Sequence, residues 1–171
     1  MFLNAWFCWF GMEVKTLVFV VDVDHRQVLL GLKKRGFGRG KWNGFGGKLN
    51  PGESTVKAAV REVFEESSLV VALESLVPAG EVVFLTKDRP EFATRVEVFV
   101  AFAWTGTPTE SEEMVPQWFP LDRLPFESMW PADPLWLPLI FEGQTVSGTV
   151  VFSKDDNSVL DYSFDFEGPS R

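Results

Sequence analysis

The sequence predicts an α/β domain built on a mixed β-sheet. Several runs of β-branched and aromatic residues read as strands. One amphipathic stretch, Ser54 to Ser67, reads as a central helix, and a shorter apolar stretch, Asp133 to Phe141, reads as a second helix near the C-terminus. Strands on either side of a central helix, with another helix late in the chain, point to a sheet packed on helices.

The elements follow in order. Thr16 to Asp22 is a strand, Asp24-His25-Arg26 a polar turn, and Val28 to Leu32 the partner strand. Lys33 to Gly47 is basic and glycine-dense, so it is a loop system with close backbone approach. Ser54 or Thr55 caps the central helix after Pro51-Gly52, and Val56, Ala59, Val60 and Val63 form its apolar stripe. Val70-Val71, Glu81 to Leu85 and Thr94 to Trp104 read as further strands. Pro138 weakens the second helix. Val146 to Phe152 and Val159 to Phe166 read as a closing hairpin across Asp155-Asp156-Asn157.

A length of 171 residues implies one domain. The chain is 46% hydrophobic and 15% aromatic, which excludes a disordered chain and allows a full core. A net charge of −8 argues against a nucleic-acid polymer as partner, because phosphate backbones demand clustered Lys and Arg. A small phosphorylated substrate remains compatible, since metal ions bridge carboxylates to phosphates. Cys8 stands alone, so no intrachain disulfide forms, and a reducing compartment fits. No apolar run is long enough to span a bilayer. Residues 1–11 are apolar but lack the basic residues of a secretory signal or transit peptide. They read as an extension ahead of a second start at Met12, need not be structured, and leave 12–171 as the domain. His25, the only histidine, sits in the turn and receives no catalytic role.

Glu62, Glu65 and Glu66 stand at i, i+3 and i+4, which places three carboxylates on one side of the central helix. Their repulsion costs about a few tenths of a kcal/mol per pair, and a divalent cation removes it. By spacing alone, a solvated acidic face accounts for them at least as well.

The surrounding pattern changes that balance. Gly47 is followed by Glu53 and then by Arg61-Glu62, and the segment Gly47 to Leu69 resembles the Nudix box, G-x5-E-x7-R-E-U-x-E-E-x-G-U with U apolar. Only Ser68 departs, standing where the family has a helix-closing Gly. A serine can take the left-handed conformation there at modest cost. The resemblance implies the Nudix fold, an α/β/α sandwich around a mixed sheet. It implies Mg²⁺, with Mn²⁺ as a substitute, held by Glu62, Glu65, Glu66 and the Gly46 carbonyl. It also implies a supporting ion pair between Glu53 and Arg61, and Glu62 or Glu66 as proton acceptor. Of the downstream cluster Glu110, Glu112 and Glu113, Glu113 is the expected distant metal ligand, and a solvated acidic loop is nearly as good a reading.

Further segments are similar to one branch of that family, whose members cleave oxidised purine nucleoside triphosphates. They include Gly31-Leu-Lys-Lys-Arg-Gly-Phe-Gly38, Lys41-Trp-Asn-Gly-Phe-Gly-Gly-Lys48, Pro116-Gln-Trp-Phe119 and Met129-Trp-Pro131, within a similarity running from about Val14 to Tyr162. The resemblance implies Mg²⁺-dependent release of pyrophosphate from nucleotides of the 8-oxo-dGTP type, sanitising the nucleotide pool. It implies a base pocket of Thr16, Phe37, Asn43, Phe84, Trp130, Asp133 and Trp136, with Lys33 reaching a substrate hydroxyl or the phosphates. The branch has two adjacent aspartates after Trp-Pro; here they are Ala132 and Asp133. One carboxyl suits a guanine-type edge better than an oxidised adenine. The other expectations are a monomer acting on a small nucleotide, away from membranes, in the cytoplasm or else the nucleus or mitochondrion. Another Nudix substrate, or a domain that binds nucleotides without cleaving them, are the competing readings.

Overall fold

The computed structural model describes residues 12–168; the apolar extension at 1–11 lies outside them. One sheet organises the chain. Strand β1 (Glu13–Asp22) runs antiparallel to β2 (Gln27–Lys33) and parallel to β5 (Thr94–Ala101). Strand β4 (Leu76–Thr86) pairs antiparallel with β5 and parallel with β7 (Thr145–Phe152), which pairs antiparallel with β8 (Val159–Glu167). The short β3 (Trp42–Asn43) and β6 (Met114–Pro120) both pair with β2. The sheet is therefore mixed, as expected.

A helix covers each face. In β1, Val18 and Val20 join the core that includes Ala59 and Val63 of α1 (Thr55–Ser67), whereas Leu17, Phe19 and Val21 join the core of Trp136, Leu137 and Ile140 from α2 (Asp133–Phe141). Both sides of this strand are buried, which explains its unbroken apolar run. Fully burying a residue such as Val63 contributes about 1.5–3 kcal/mol.

Helix α1 begins where the sequence says. The Ser54 hydroxyl accepts from the Lys57 N–H at 3.4 Å, a cap interaction of about 1 kcal/mol. It ends at Ser68, whose φ of 63° is left-handed and whose N–H donates to the Phe64 carbonyl at 2.8 Å. Pro138 sits inside α2 without preventing it, and Pro134 occupies the first turn, where a missing N–H costs nothing.

Some expectations need correction. Val70-Val71 is not a strand; Val70 makes a single bridge to Thr105. The strand from Thr94 stops at Ala101 rather than Trp104, and β4 begins at Leu76, ahead of the expected Glu81. Strand β6 was not among the expected strands, and it carries two prolines, Pro116 and Pro120. An edge strand tolerates them, and among the described residues β6 pairs with β2 alone.

Candidate active site

The site begins with the glycines after β3. Phe45 exchanges backbone hydrogen bonds with Val18 at 2.7 and 2.9 Å, and the Thr16 N–H donates to the Gly47 carbonyl at 2.9 Å. This lays residues 44–47 directly on β1. A Cβ at Gly46 would run into the Thr16 carbonyl, and one at Gly47 would meet the Glu62 carboxylate at 2.6 Å. Only glycine permits so close an approach. The result is that the Gly46 N–H donates to Glu66 Oε2 at 2.9 Å.

The three helix glutamates occupy different surroundings. Glu66 is 3% exposed, and burial pushes its pKa up to about 7 against the pull of the Gly46 N–H and the Lys33 charge. Glu62 is raised too, again by burial, although Arg61 opposes the shift at 2.8 Å. Glu65 is half exposed and meets Arg61 Nη1 at 3.1 Å. Arg61 also clasps Glu53 through Nε at 3.0 Å and Nη2 at 2.9 Å, and Nη2 reaches the Lys48 carbonyl at 3.0 Å. This clasp, with the Asn50 N–H, holds the Glu53 carboxyl at about pKa 2.

Glu113 reaches the same region from the loop before β6. Lys33 Nζ stands 3.9 Å from Glu66 Oε1 and 3.7 Å from Glu113 Oε2, and Arg35 Nη2 donates to Glu113 Oε1 at 2.9 Å. Among the described residues, no three Asp, Glu, His or Cys side chains converge into a ready metal cage. Arg61 and Lys33 stand among the carboxylates and balance them. The donor set nevertheless suits a hard divalent cation: it is all oxygen, and burial raises the pKa of the buried Glu66 and of the partly buried Glu62 despite Lys33 and Arg61.

Several of the residues expected to meet the base lie in or near α2. Asp133 is 3% exposed, and burial pushes its pKa up to about 7, opposed by the Trp130 N–H, which donates to Oδ2 at 3.1 Å. Trp136 also favours the charged form weakly, but among the described residues its buried indole N–H completes no hydrogen bond; nor does the buried Thr16 hydroxyl. Asn43 turns its side-chain oxygen to the Gly44 N–H at 2.9 Å. Trp130 lies 6.2 Å from Phe152, which stacks on Phe84 at 5.9 Å. Phe37 is 70% exposed and stacks directly on Trp130, with centroids 4.9 Å apart. A purine between those rings would need centroids about 7 Å apart, so Phe37 has to shift if both rings are to sandwich a base.

The sequence reading missed Lys34, Arg35, Lys41 and Phe152. Lys41 lies 5.1 Å over the Trp130 ring, and Lys34 Nζ donates to Glu110 Oε1 at 2.6 Å and to the Ser111 carbonyl at 2.8 Å. The basic run 33–35 and the acidic run 110–113 are complementary in charge, and that was the available signal.

A glycine-lined carboxylate helix on a mixed sheet between two helices defines a Nudix domain. The chain belongs to that family: the NUDIX domain model matches residues 12–140. It is 47% identical over 148 residues to the oxidized purine nucleoside triphosphate hydrolase of Mus musculus, covering 86% of this chain and 91% of that one. It is 45% identical to the protein of the same name from Danio rerio, covering 83% and 89%. Among solved structures, a mutator MutT protein from Bacillus halodurans superposes with a TM-score of 0.76 at 27% identity, covering 90% of this chain and 98% of that one.

Proposed function

We propose that this chain hydrolyses oxidised purine nucleoside triphosphates of the 8-oxo-dGTP type to the monophosphate and pyrophosphate, with Mg²⁺. The observation that carries this is the buried Glu66 and partly buried Glu62 carboxylates of α1, together with an aromatic cluster of Phe37, Trp130, Phe152 and Phe84 that adjoins one buried carboxyl, Asp133. The relatives' names supply the reaction and the substrate class.

Each group then has a task. Glu62, Glu65, Glu66, Glu113 and the Gly46 carbonyl would hold Mg²⁺, with Mn²⁺ as a substitute. When bound, the metal neutralises the polyphosphate and lowers the pKa of an attacking water. Glu62 or Glu66 accepts the proton that water loses. Glu53 and Arg61 keep the loop fixed against the helix. Trp130 and Phe37 stack on the base, with Phe84 supporting the aromatic wall, and Thr16, Asn43, Asp133 and Trp136 meet the ring edges. Lys33 turns to a substrate hydroxyl or the phosphates. We place the domain at residues 12–171 and expect a monomer that engages neither nucleic-acid polymers nor membranes. We place it in the cytoplasm, with the nucleus and mitochondrion as the alternatives. No helix among the described residues is long and apolar enough to cross a membrane.

Pyrophosphate release from a panel of normal and oxidised nucleoside triphosphates tests the reading, with and without Mg²⁺ and with Glu66→Gln. The expected result is Mg²⁺-dependent release favouring 8-oxo-dGTP and abolished by the substitution. Release from every nucleotide alike favours a broader Nudix enzyme, and no release favours a binding domain.

A further inference from the structure

Lys33 Nζ is nearly equidistant from Glu66 Oε1 and Glu113 Oε2, and it marks where two carboxylates from distant parts of the chain share one positive charge. The β2–β6 pairing sets up this meeting. Lys33 lies opposite Met114, so the next residues along, Lys34 and Arg35, face Glu113 and Glu112. The Lys34 N–H donates to the Glu113 carbonyl at 2.8 Å, which fixes the backbone at that point. The Glu113 side chain is fixed separately. Arg35 Nη2 takes Oε1 at 2.9 Å, while Nη1 reaches Glu112 Oε2 at 3.5 Å.

From this division of labour we infer that Arg35 is a positioning residue for the cation site: by occupying Oε1 of Glu113 it aims Oε2 at the point beside Glu66 where Lys33 now stands. The inference rests on the proposed metal-dependent reading. Arg35 and Lys33 carry the same charge but have opposite roles. Lys33 occupies the gap and competes with an entering cation. Arg35 stands behind the carboxylate and holds it ready, as hydrogen-bonded partners of metal ligands do. Glu113 and Arg35 are each about half exposed, so without this contact the glutamate has free rotamers and water to turn to.

The two roles separate in a metal titration that involves no nucleotide. On charge alone, removing either cation strengthens the binding of a divalent ion. On positioning, the two substitutions have opposite signs. Binding is read as loss of the free Mn²⁺ electron paramagnetic resonance signal, with wild type, Arg35→Gln, Arg35→Lys and Lys33→Met compared at one ionic strength. Arg35→Gln is expected to weaken Mn²⁺ binding by about tenfold, the low end for such supporting contacts. Arg35→Lys, which keeps the charge but loses the planar fork, falls between it and wild type. Lys33→Met binds Mn²⁺ more tightly. Mn²⁺ binding by Arg35→Gln that equals or exceeds wild type overturns the inference and leaves the proposed function standing. A wild-type chain that binds no Mn²⁺ overturns both. A failure to prefer oxidised purines, seen only in the turnover panel, touches the substrate reading alone.

Discussion

Arg61 holds Glu53 with two nitrogens, Nε at 3.0 Å and Nη2 at 2.9 Å, while its third, Nη1, reaches Glu62 and Glu65 at 2.8 and 3.1 Å. One guanidinium thus ties the loop before α1 to the face that carries the carboxylates. Its planar fork matches the Glu53 carboxylate at two points, which a lysine does not. Arg61→Lys should therefore lower Tm by about 2–4 °C and kcat/KM on 8-oxo-dGTP by about tenfold. Thermal melts and initial rates check this; an unchanged kcat/KM would show that the clasp has no part in the site.

The same pair sets an acid limb. The Glu53 carboxyl is held at about 2 against an ordinary value of 4.5, so its contribution is present above about pH 4.5 and is lost as pH falls toward 2. Glu53→Gln should flatten the fall in Tm over that window and leave the neutral region with a constant deficit. A fall as steep as in wild type would place the acid sensitivity elsewhere.

Ser68 closes α1 with φ at 63°, a conformation that costs a non-glycine residue about 1 kcal/mol or more. Ser68→Gly should raise Tm by about 2–4 °C without changing Mn²⁺ affinity, because the helix-ending contact is the backbone N–H to the Phe64 carbonyl. Calorimetry and a Mn²⁺ titration check both halves. A loss of stability would mean that the serine side chain has a partner worth more than the strain.

Legibility in the sequence followed the range of the interaction. Helix α1 and its cap at Ser54 or Thr55 were readable because each depends on neighbours within a few positions, whereas the left-handed end at Ser68 was implied by the glycine that the box has there. The Glu53–Arg61 clasp was readable because the box fixes its spacing. Strand β6 was not among the expected strands, and it carries Pro116 and Pro120, whose missing N–H groups matter less at an edge. The Arg35–Glu113 contact spans 78 residues and follows from the β2–β6 register, which no local pattern records. The direct stack of Phe37 on Trp130 was unreadable for a different reason. Aromatic residues announce a cluster of rings, but not which ring stacks on which.

Asp133 sets a second pH dependence of opposite sign. Burial raises its carboxyl from 3.8 to about 7, so folding favours the protonated form. Its contribution is fully present below about pH 4 and is lost as pH rises through 7. Asp133→Asn stays neutral throughout. The Tm difference, wild type minus variant, should therefore fall by several degrees between about pH 4 and pH 8. Comparing the two proteins cancels Glu66, which titrates in the same window. Parallel curves would mean that Asp133 is charged in the folded protein at all these pH values.

Ala132 is the position where specificity and stability oppose each other. It is fully buried at the start of α2, packed with Met129 and Trp136, and directly precedes Asp133. A second carboxyl here would share a proton with Asp133, because two adjacent buried carboxyls rarely ionise together. Such a pair presents a donor and an acceptor side by side and exchanges them as the base demands; Asp133 alone brings a single carboxyl to the edge. Wild type should therefore favour 8-oxo-dGTP over 2-oxo-dATP, and Ala132→Asp should narrow the gap. The added carboxyl enters an apolar core, so the variant should also lose about 1–3 kcal/mol of stability. The kcat/KM ratio for the two nucleotides, measured well below the variant's Tm, separates the effects. Equal wild-type values for both substrates would sink the argument, whereas a variant that loses stability with no change in ratio would show that position 132 faces the core and not the base.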